Sequence, residues 1–244
     1  MFCKIFSLVV SVAAVLITLK LLLCIAKKDQ EVTGYSLNMT SRLWLLSMIS
    51  GELVFWCGSG YLDFSNSYHQ KTFWKWELLV YIVLGILAGC LLMACLTDCQ
   101  NCMVYQYVWW LGGVAGAILI VSACRNFCCF QGFCGFPSAL LENLLSFLLP
   151  KLASVVIFGI LQEKLFCRMY GKADCHAFVV CAMAECAIGL GMKGYLIHML
   201  IAIILLAVMQ GIKRNVGRNG NLKKGVPFLP YITISFWIVL LIGC

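Results

Sequence analysis

The chain is dominated by a series of long apolar runs, and this feature restricts its fold more than any other. An α-helix needs about 20 apolar residues to cross the hydrocarbon core of a bilayer. The runs at Ile5–Ala26, Leu78–Thr97 and Ala139–Leu161 are of that order and carry few charges. Backbone groups inside a bilayer must be hydrogen-bonded within the segment, so each run is expected to be helical. The sequence therefore predicts an all-α, polytopic integral membrane helix bundle.

Composition excludes several other classes of protein. Of the 244 residues, 63% are hydrophobic and 11% are charged, and the mean hydropathy is +0.96. A soluble domain is nearer to about half apolar and about a quarter charged. A soluble globular domain, a disordered chain and a small disulfide scaffold are therefore excluded. The formal net charge of +8 comes from basic residues in short loops. Because these residues are not interleaved with aromatic ones, no nucleic-acid partner is expected.

Seven segments are apolar enough to be predicted as membrane spans. They are Ile5–Ala26, Leu78–Thr97, Met103–Ala123, Ala139–Leu161, Ala177–Leu190, Tyr195–Ile212 and Phe228–Gly243. An eighth segment, Leu43–Tyr61, is apolar but is interrupted by Glu52 and by three glycines. It could cross the membrane, re-enter it, or lie on its surface as a helix. We expect residues 1–76 to form an N-terminal span with a mixed polar and amphipathic extension, and residues 77–244 to form a six-helix core.

The loops predict the orientation of this core. Basic residues concentrate in the loops Glu163–Cys175 and Lys213–Val226, which hold eight of them against two in the alternating loops. Short loops rich in Lys and Arg face the cytoplasm. The end of the span Leu78–Thr97 is then cytoplasmic too. The chain is therefore predicted to cross its membrane several times.

Two acidic residues stand at this cytoplasmic face, on different spans. Asp98 ends the span Leu78–Thr97, and Asp174 precedes the short span Ala177–Leu190. Two carboxyl groups that meet at one depth cannot both ionise, so one keeps its proton. Such a pair can activate water and polarise a carbonyl group, which is the chemistry of an aspartic peptidase. The alternative is that each acid caps a helix, as Asp174 could do for the helix that follows it.

Short motifs around these acids resemble those of a known family. Gly171-Lys172-Ala173-Asp174 is similar to the Gly-x-Gly-Asp motif of type IV prepilin peptidases and preflagellin peptidases, and Pro227-Phe228-Leu229-Pro230 is similar to the element that opens the final helix of that family. The resemblance covers residues 76–244. It implies a bacterial integral-membrane aspartic endopeptidase, with Asp98 and Asp174 catalytic and no cofactor. It also implies cleavage of pilin-like precursors (prepilin, pseudopilin or Flp), whose basic leader is followed by an apolar helix, at the cytoplasmic face of the plasma membrane.

The chain departs from that family at several positions. Ala173 replaces the second glycine, His176 stands where the family often has lysine, and the stretch Cys99–Cys102 lacks the usual Ile-Pro. The long members of the family carry paired Cys-x-x-Cys motifs for zinc and a methyltransferase activity. Residues 27–76 contain one cysteine, Cys57, and therefore no such pair. Neither the zinc site nor methyl transfer is expected. The sequence does not reveal the redox state of a second cysteine group, which comprises Cys124, Cys128, Cys129 and Cys134.

Two further charges fall inside predicted spans. Lys151 and Glu185 lie at similar depth on consecutive antiparallel segments, which predicts a structural ion pair. Two rival functions remain open at this stage. In a proton- or cation-coupled transporter or channel, Asp98, Asp174 and Glu185 would line the ion path. In a catalytically inactive membrane scaffold, Ala173 would mark the loss of activity.

Overall fold

A computed structural model describes residues 2–33, 42–65, 74–130, 137–216 and 227–243. Within these ranges the chain forms helices and no strands. The helices are α1 (Phe2–Thr33), α2 (Arg42–Ser65), α3 (Trp74–Asn101), α4 (Gln106–Phe130), α5 (Pro137–Leu161), α6 (Cys167–Tyr170), α7 (Lys172–Ile188), α8 (Gly191–Val216) and α9 (Leu229–Gly243). A π-helical segment, Gln162–Phe166, joins α5 to α6. The prediction of a helix bundle is confirmed.

Four described helices are long and apolar enough to cross a membrane. They contain the segments Lys4–Asp29, Leu78–Gln100, Gln106–Ala123 and Gly191–Ile212. Large apolar side chains on the outside of these helices are exposed, as at Ile17 and Leu200. Apolar side chains that face outward are stable in lipid, because contact with the hydrocarbon chains costs them no free energy of solvation. The chain is therefore a membrane protein. Leu45–Ser59 and Leu229–Gly243 are shorter apolar helical segments.

Each predicted span coincides largely with one helix, whereas the number of membrane spans stays a prediction. The structure resolves one open point about the shape of the segment in α2. The segment Leu43–Tyr61 lies within α2, a single continuous helix. This helix packs against α1 and α3, with Val54 and Cys57 fully buried. The residues 1–76 thus contribute α1 and α2, both of which pack on α3. The division of the chain at residue 77 stays a prediction.

Helices that are distant in sequence meet around α7. Helix α4 packs against both α3 and α7, and α9 contacts α3, α7 and α8. The approach of α4 to α7 depends on Gly116, because a Cβ atom there would lie 2.7 Å from Cβ of Met183. Small residues allow such close contact between membrane helices. This packing gathers the end of α3 and the beginnings of α7 and α9.

Described cysteines in the apolar segments behave as small apolar side chains. Cys90, Cys181 and Cys186 are buried free thiols, whereas Cys24 is exposed and Cys95 is intermediate. Buried free cysteine packs as a small hydrophobic residue. The second cysteine group lies outside the described part of the structure. This holds for the side chains of Cys124, Cys128 and Cys129 and for the whole of Cys134.

Candidate active site

Asp98 joins the end of α3 to the beginning of α9. Its Oδ2 accepts a hydrogen bond of 3.1 Å from the backbone N–H of Leu229, and the backbone N–H of Phe228 also donates to this carboxyl group. The first N–H groups of a helix have no partner within the helix. Pro227 and Pro230, on either side, have no N–H to donate. Asp98 therefore caps α9 by accepting from the two donors that the Pro-Phe-x-Pro element leaves.

Asp174 lies in the first turn of α7, after a sharp break in the chain. Gly171 separates α6 from α7 with φ of 93° and ψ of 159°, a conformation that favours glycine. Its N–H donates to the carbonyl of Cys167 at 3.2 Å, and its own carbonyl accepts from the N–H of Cys175 at 3.3 Å. This break turns α7 so that Asp174 stands near Gly171, whose Cβ, if present, would lie 3.5 Å from Oδ2 of Asp174.

The two aspartates interact electrostatically, although they belong to helices distant in sequence. Burial, followed by the negative charge of Asp98, raises the pKa of Asp174 to about 7. Burial disfavours the charged form of a carboxyl group, and a neighbouring carboxylate has the same effect. Burial raises the pKa of Asp98 as well, but the backbone N–H groups of Leu229 and Phe228 oppose that rise. Because Asp174 has no such opposing donors and is also repelled by Asp98, the proton resides preferentially on Asp174. The arrangement can therefore hold one proton, on Asp174, at neutral pH.

Aromatic rings pack beside the two acids and connect three helices. The ring of Tyr170 lies 5.4 Å from Phe228 and 5.7 Å from Phe178, and the latter two are 6.0 Å apart. The hydroxyl of Tyr170 donates to Oε1 of Gln162 at 2.9 Å, and Nε2 of Gln162 contacts Sδ of Met199 at 3.1 Å. Aromatic pairs at such separations favour edge or offset geometries and stabilise packing. These rings hold Phe228, and with it the donors to Asp98.

Sequence reasoning missed Gln162 and Tyr170. A π-helical segment depends on an extra residue in a helical turn, which a periodic pattern does not reveal. Gln162 is fully buried and follows directly on an apolar run. A polar residue in that position is the one signal that could have drawn attention to it, because buried amides need hydrogen-bond partners.

The remaining motif residues have distinct positions. Among non-glycine residues in the described ranges, only Cys102 has a positive φ, so Ala173 adopts a conformation in which glycine is not required. The replacement of the second glycine thus leaves the backbone at Asp174 unstrained. His176 is exposed on α7, with its ring 6.5 Å from that of Trp109. The roles assigned to both residues by the resemblance stay predictions.

Glu185 has a neighbour that the sequence did not predict. Its Oε1 lies 2.6 Å from Nδ1 of His198, and both side chains are buried. Lys151, the predicted partner of Glu185, lies close enough to Cys186 to interact electrostatically with its thiol. The ion pair between Lys151 and Glu185 stays a prediction. His198 could have been noticed as an ionisable residue within the apolar segment Gly191–Ile212, since such residues need a partner.

Neither metal-binding geometry nor similarity to other proteins assigns a further function to the site. No group of three or more His, Cys, Asp or Glu residues in the described part of the chain is arranged to hold a metal ion. No family model, no curated protein and no solved structure matches the chain.

Proposed function

We propose that the protein is a prepilin-type aspartic endopeptidase of the bacterial plasma membrane. The observation that carries the proposal is the coupling of Asp98 and Asp174, which raises the pKa of Asp174 beyond the effect of burial. The contact between Asp98 and the beginning of α9 supports it, because one proposed catalytic acid then adjoins the Pro-Phe-x-Pro element, which is one of the two motifs of the resemblance. Asp98 and Asp174 are the proposed catalytic residues.

The electrostatic difference between the acids suggests their roles in hydrolysis. Asp98, as the carboxylate, takes a proton from a water molecule, whose oxygen adds to the carbonyl carbon of the scissile bond. Asp174, as the carboxylic acid, gives its proton to the carbonyl oxygen. Collapse of the tetrahedral intermediate returns that proton to Asp174, and the departing amine receives the proton that Asp98 took. Water is thereby added across the peptide bond, and both acids regain their initial state.

The proposed substrate is a pilin-like precursor with a basic leader and an apolar helix. The seven predicted spans, which lie within or largely overlap α1, α3, α4, α5, α7, α8 and α9, are proposed to place the two acids at the cytoplasmic face. The loops there are themselves basic, so they do not attract a basic leader. We therefore expect recognition to depend on the apolar helix of the precursor. Replacing its first apolar turn should reduce cleavage more than removing leader lysines, and the reverse ranking would refute this mode of recognition.

A cleavage assay tests the proposal directly. Membranes that contain the wild-type chain, Asp98→Asn, Asp174→Asn or Glu163→Gln are incubated with pilin-like precursors, and the new N-terminus of the product is sequenced. Glu163 is an exposed acid of the π-helical segment between α5 and α6 and serves as the matched control. Cleavage should be retained by the wild type and the control and lost in both aspartate variants. If either aspartate variant still cleaves a precursor, or if the wild type cleaves none of the precursors, the two-aspartate mechanism is wrong.

One observation favours a proton-coupled transporter as the second candidate. Glu185 and His198 form a buried ionisable contact within the bundle, and such groups often mark proton paths in membrane proteins. The two candidates differ in what the aspartates support. Proton flux into vesicles that is lost in Asp174→Asn, without any cleavage, would favour transport. A folded protein with neither activity would favour the inactive scaffold.

A further inference from the structure

Glu185 and His198 connect three helices inside the bundle. Nδ1 of His198 lies 2.6 Å from Oε1 of Glu185, and Nε2 of His198 lies 2.9 Å from the backbone carbonyl of Ile232. Glu185 belongs to α7, His198 to α8 and Ile232 to α9. The exposed fractions of the two side chains are 0% and 1%. Both groups are therefore shielded from water.

The contacts determine where the protons of the pair reside. A carbonyl oxygen only accepts hydrogen bonds, so Nε2 of His198 carries a hydrogen. If the imidazole had no second proton and Glu185 were ionised, a lone pair on Nδ1 would face a negative oxygen, and neither carboxyl oxygen of Glu185 would have a hydrogen-bond partner. One proton between Nδ1 and Oε1 removes this conflict. With that proton the pair is neutral overall, as a buried site demands.

Aromatic rings separate this pair from the two aspartates. The ring of Phe178 lies 5.2 Å from that of His198 and 6.0 Å from that of Phe228. Phe236 covers another side of the imidazole at 6.0 Å. Tyr195 and Cys181 lie close enough to Glu185 to interact with it electrostatically. A proton in this setting exchanges poorly with water, because a charged intermediate in an apolar interior is costly.

The same contacts link the pair to the candidate active site. Ile232 lies one helical turn beyond Leu229, whose N–H binds Asp98. Glu185 lies on α7, the helix that begins with Asp174. A bond from His198 to Ile232 and a second to Glu185 thus fix α9 against α7, the two helices that meet at the aspartates. Precise placement of catalytic groups depends on such supporting contacts.

We propose that Glu185 and His198 share one proton as a neutral pair within the bundle, and that they act as positioning residues that hold the beginning of α9, and through it Asp98, against α7. The catalytic consequence rests on the proposed function. The shared proton and the positioning of α9 do not, because both can be measured without a substrate.

The positioning role is tested by a cross-link that needs no activity. Sγ of Cys95 on α3 lies 3.1 Å from Oγ1 of Thr233 on α9, one turn from Asp98 and from Leu229 respectively. In a Thr233→Cys background, mild oxidation should join the two thiols, and mass spectrometry identifies the linked peptides. The additional change Glu185→Leu or His198→Leu should reduce the yield strongly. Glu185→Gln should retain it, because the amide can still donate to Nδ1.

A packing control distinguishes this role from general loosening of α7. Val180→Ala removes buried methyl groups from the same helix without altering the pair, and it should leave the yield unchanged. An equal yield in all variants would overturn the positioning role. A Thr233→Cys protein that forms no cross-link would contradict the α3–α9 contact on which that role depends.

The shared proton is tested by nuclear magnetic resonance on isotope-labelled histidine. The protein has three histidines, so a His198→Gln spectrum identifies the signals of His198. Both ring nitrogens of His198 should show a bound or shared proton. In Glu185→Gln, Nδ1 should shift toward the position of an ordinary acceptor. A wild-type Nδ1 signal typical of an ordinary acceptor, or an Nδ1 signal indifferent to Glu185→Gln, would refute proton sharing.

These measurements separate the two proposals. A protein that cleaves precursors but keeps the cross-link in Glu185→Leu retains the proposed function and loses the positioning role. A protein that cleaves nothing but loses the cross-link retains the positioning of α9 and loses the peptidase. If both hold, Glu185→Leu should lower kcat with little change in KM, whereas Glu185→Gln should restore kcat.

Discussion

Two pairs of ionisable side chains lie on or near α7, and they differ in what surrounds them. Asp98 and Asp174 stand where helices begin or end, and both side chains are only partly buried. Glu185 and His198 are enclosed among Phe178, Phe236 and neighbouring helices. The first pair unites two acids, and the second an acid and a base.

This contrast separates two uses of ionisable side chains, which are energetically costly in a membrane protein. Two acids that share a region repel each other, so their protonation changes within an accessible pH range. An acid and a base that share a proton form a unit without net charge, which a buried site can hold at lower cost than a single charge. The aspartates are thus suited to proton transfer, and the buried pair is suited to holding helices together. Each prediction below tests one side of this difference.

The largest effect is expected at the accessible pair. Asp174→Asn should lower the rate of precursor cleavage by about 10²–10⁴-fold, the range in which a general acid or base contributes. The folded structure should persist, because an amide replaces a partly exposed carboxyl group of nearly equal shape. Initial rates and thermal unfolding of the same membranes measure the two properties. An Asp174→Asn protein that is unstable, yet cleaves at the wild-type rate when kept folded, would show that Asp174 contributes to stability and not to catalysis.

The buried pair should respond in the opposite way. Glu185→Leu and His198→Leu should each lower the free energy of unfolding by about 1–3 kcal/mol, because each leaves a buried polar partner unpaired. The double variant should be less destabilised than the two single costs added together, since the second change removes a group already without its partner. Unfolding in detergent mixtures supplies the four values. Additive costs would mean that the two side chains do not interact.

The pH profile sharpens the comparison. Burial and Asp98 raise the pKa of Asp174 to about 7, so Asp174 holds its proton below that pH and loses it above. Cleavage should therefore decline as the pH rises through about 7, by roughly tenfold for each further unit. A stability contribution from this group has the same sign, because a raised pKa favours the folded state at low pH. Rates that rise steadily to pH 9 would contradict this assignment of the proton.

The smallest expected effect concerns the break before α7. Gly171→Ala should lower the free energy of unfolding by about 1–2 kcal/mol, because its positive φ strains a residue with a Cβ atom. Gly113→Ala is the matched control, since a Cβ at that helical glycine meets nothing within 4 Å. That variant should be neutral or slightly stabilising, as alanine favours helices. Equal thermal shifts for both variants would show that the backbone conformation at Gly171 is unimportant.

Apolar runs allowed the helices to be predicted, because hydropathy and length are properties of the local chain. The run Leu78–Thr97 and the helix α3 that contains it are an example. The contact between Asp98 and the beginning of α9 was not predicted from the sequence, although the residues on both sides had been identified as candidates. Asp98 and Phe228 are more than a hundred residues apart, and only the packing of α3 against α9 brings them together.

The contact between Glu185 and His198 shows a second limit of the sequence. Depth in the membrane can be estimated from residue counts at about 1.5 Å per residue, and it suggested Lys151 as a partner, a pairing that stays a prediction. Depth alone does not reveal how each helix is rotated about its axis, and His198 occupies a comparable depth on α8. Rotation follows from the packing of side chains over several helices, such as that of Phe178 against His198.

The hydrogen bonds between Asp98 and the first turn of α9 also bear on how the protein is made. Helix α3 leaves the ribosome long before α9, which is therefore the later arrival in the membrane. The backbone N–H of Leu229, at the beginning of α9, has its acceptor at the end of α3. A newly made α9 can consequently settle in its final place only after α3 has done so. Biogenesis of this bundle then has a built-in order, in which one carboxyl group serves as the docking point for its last-described helix.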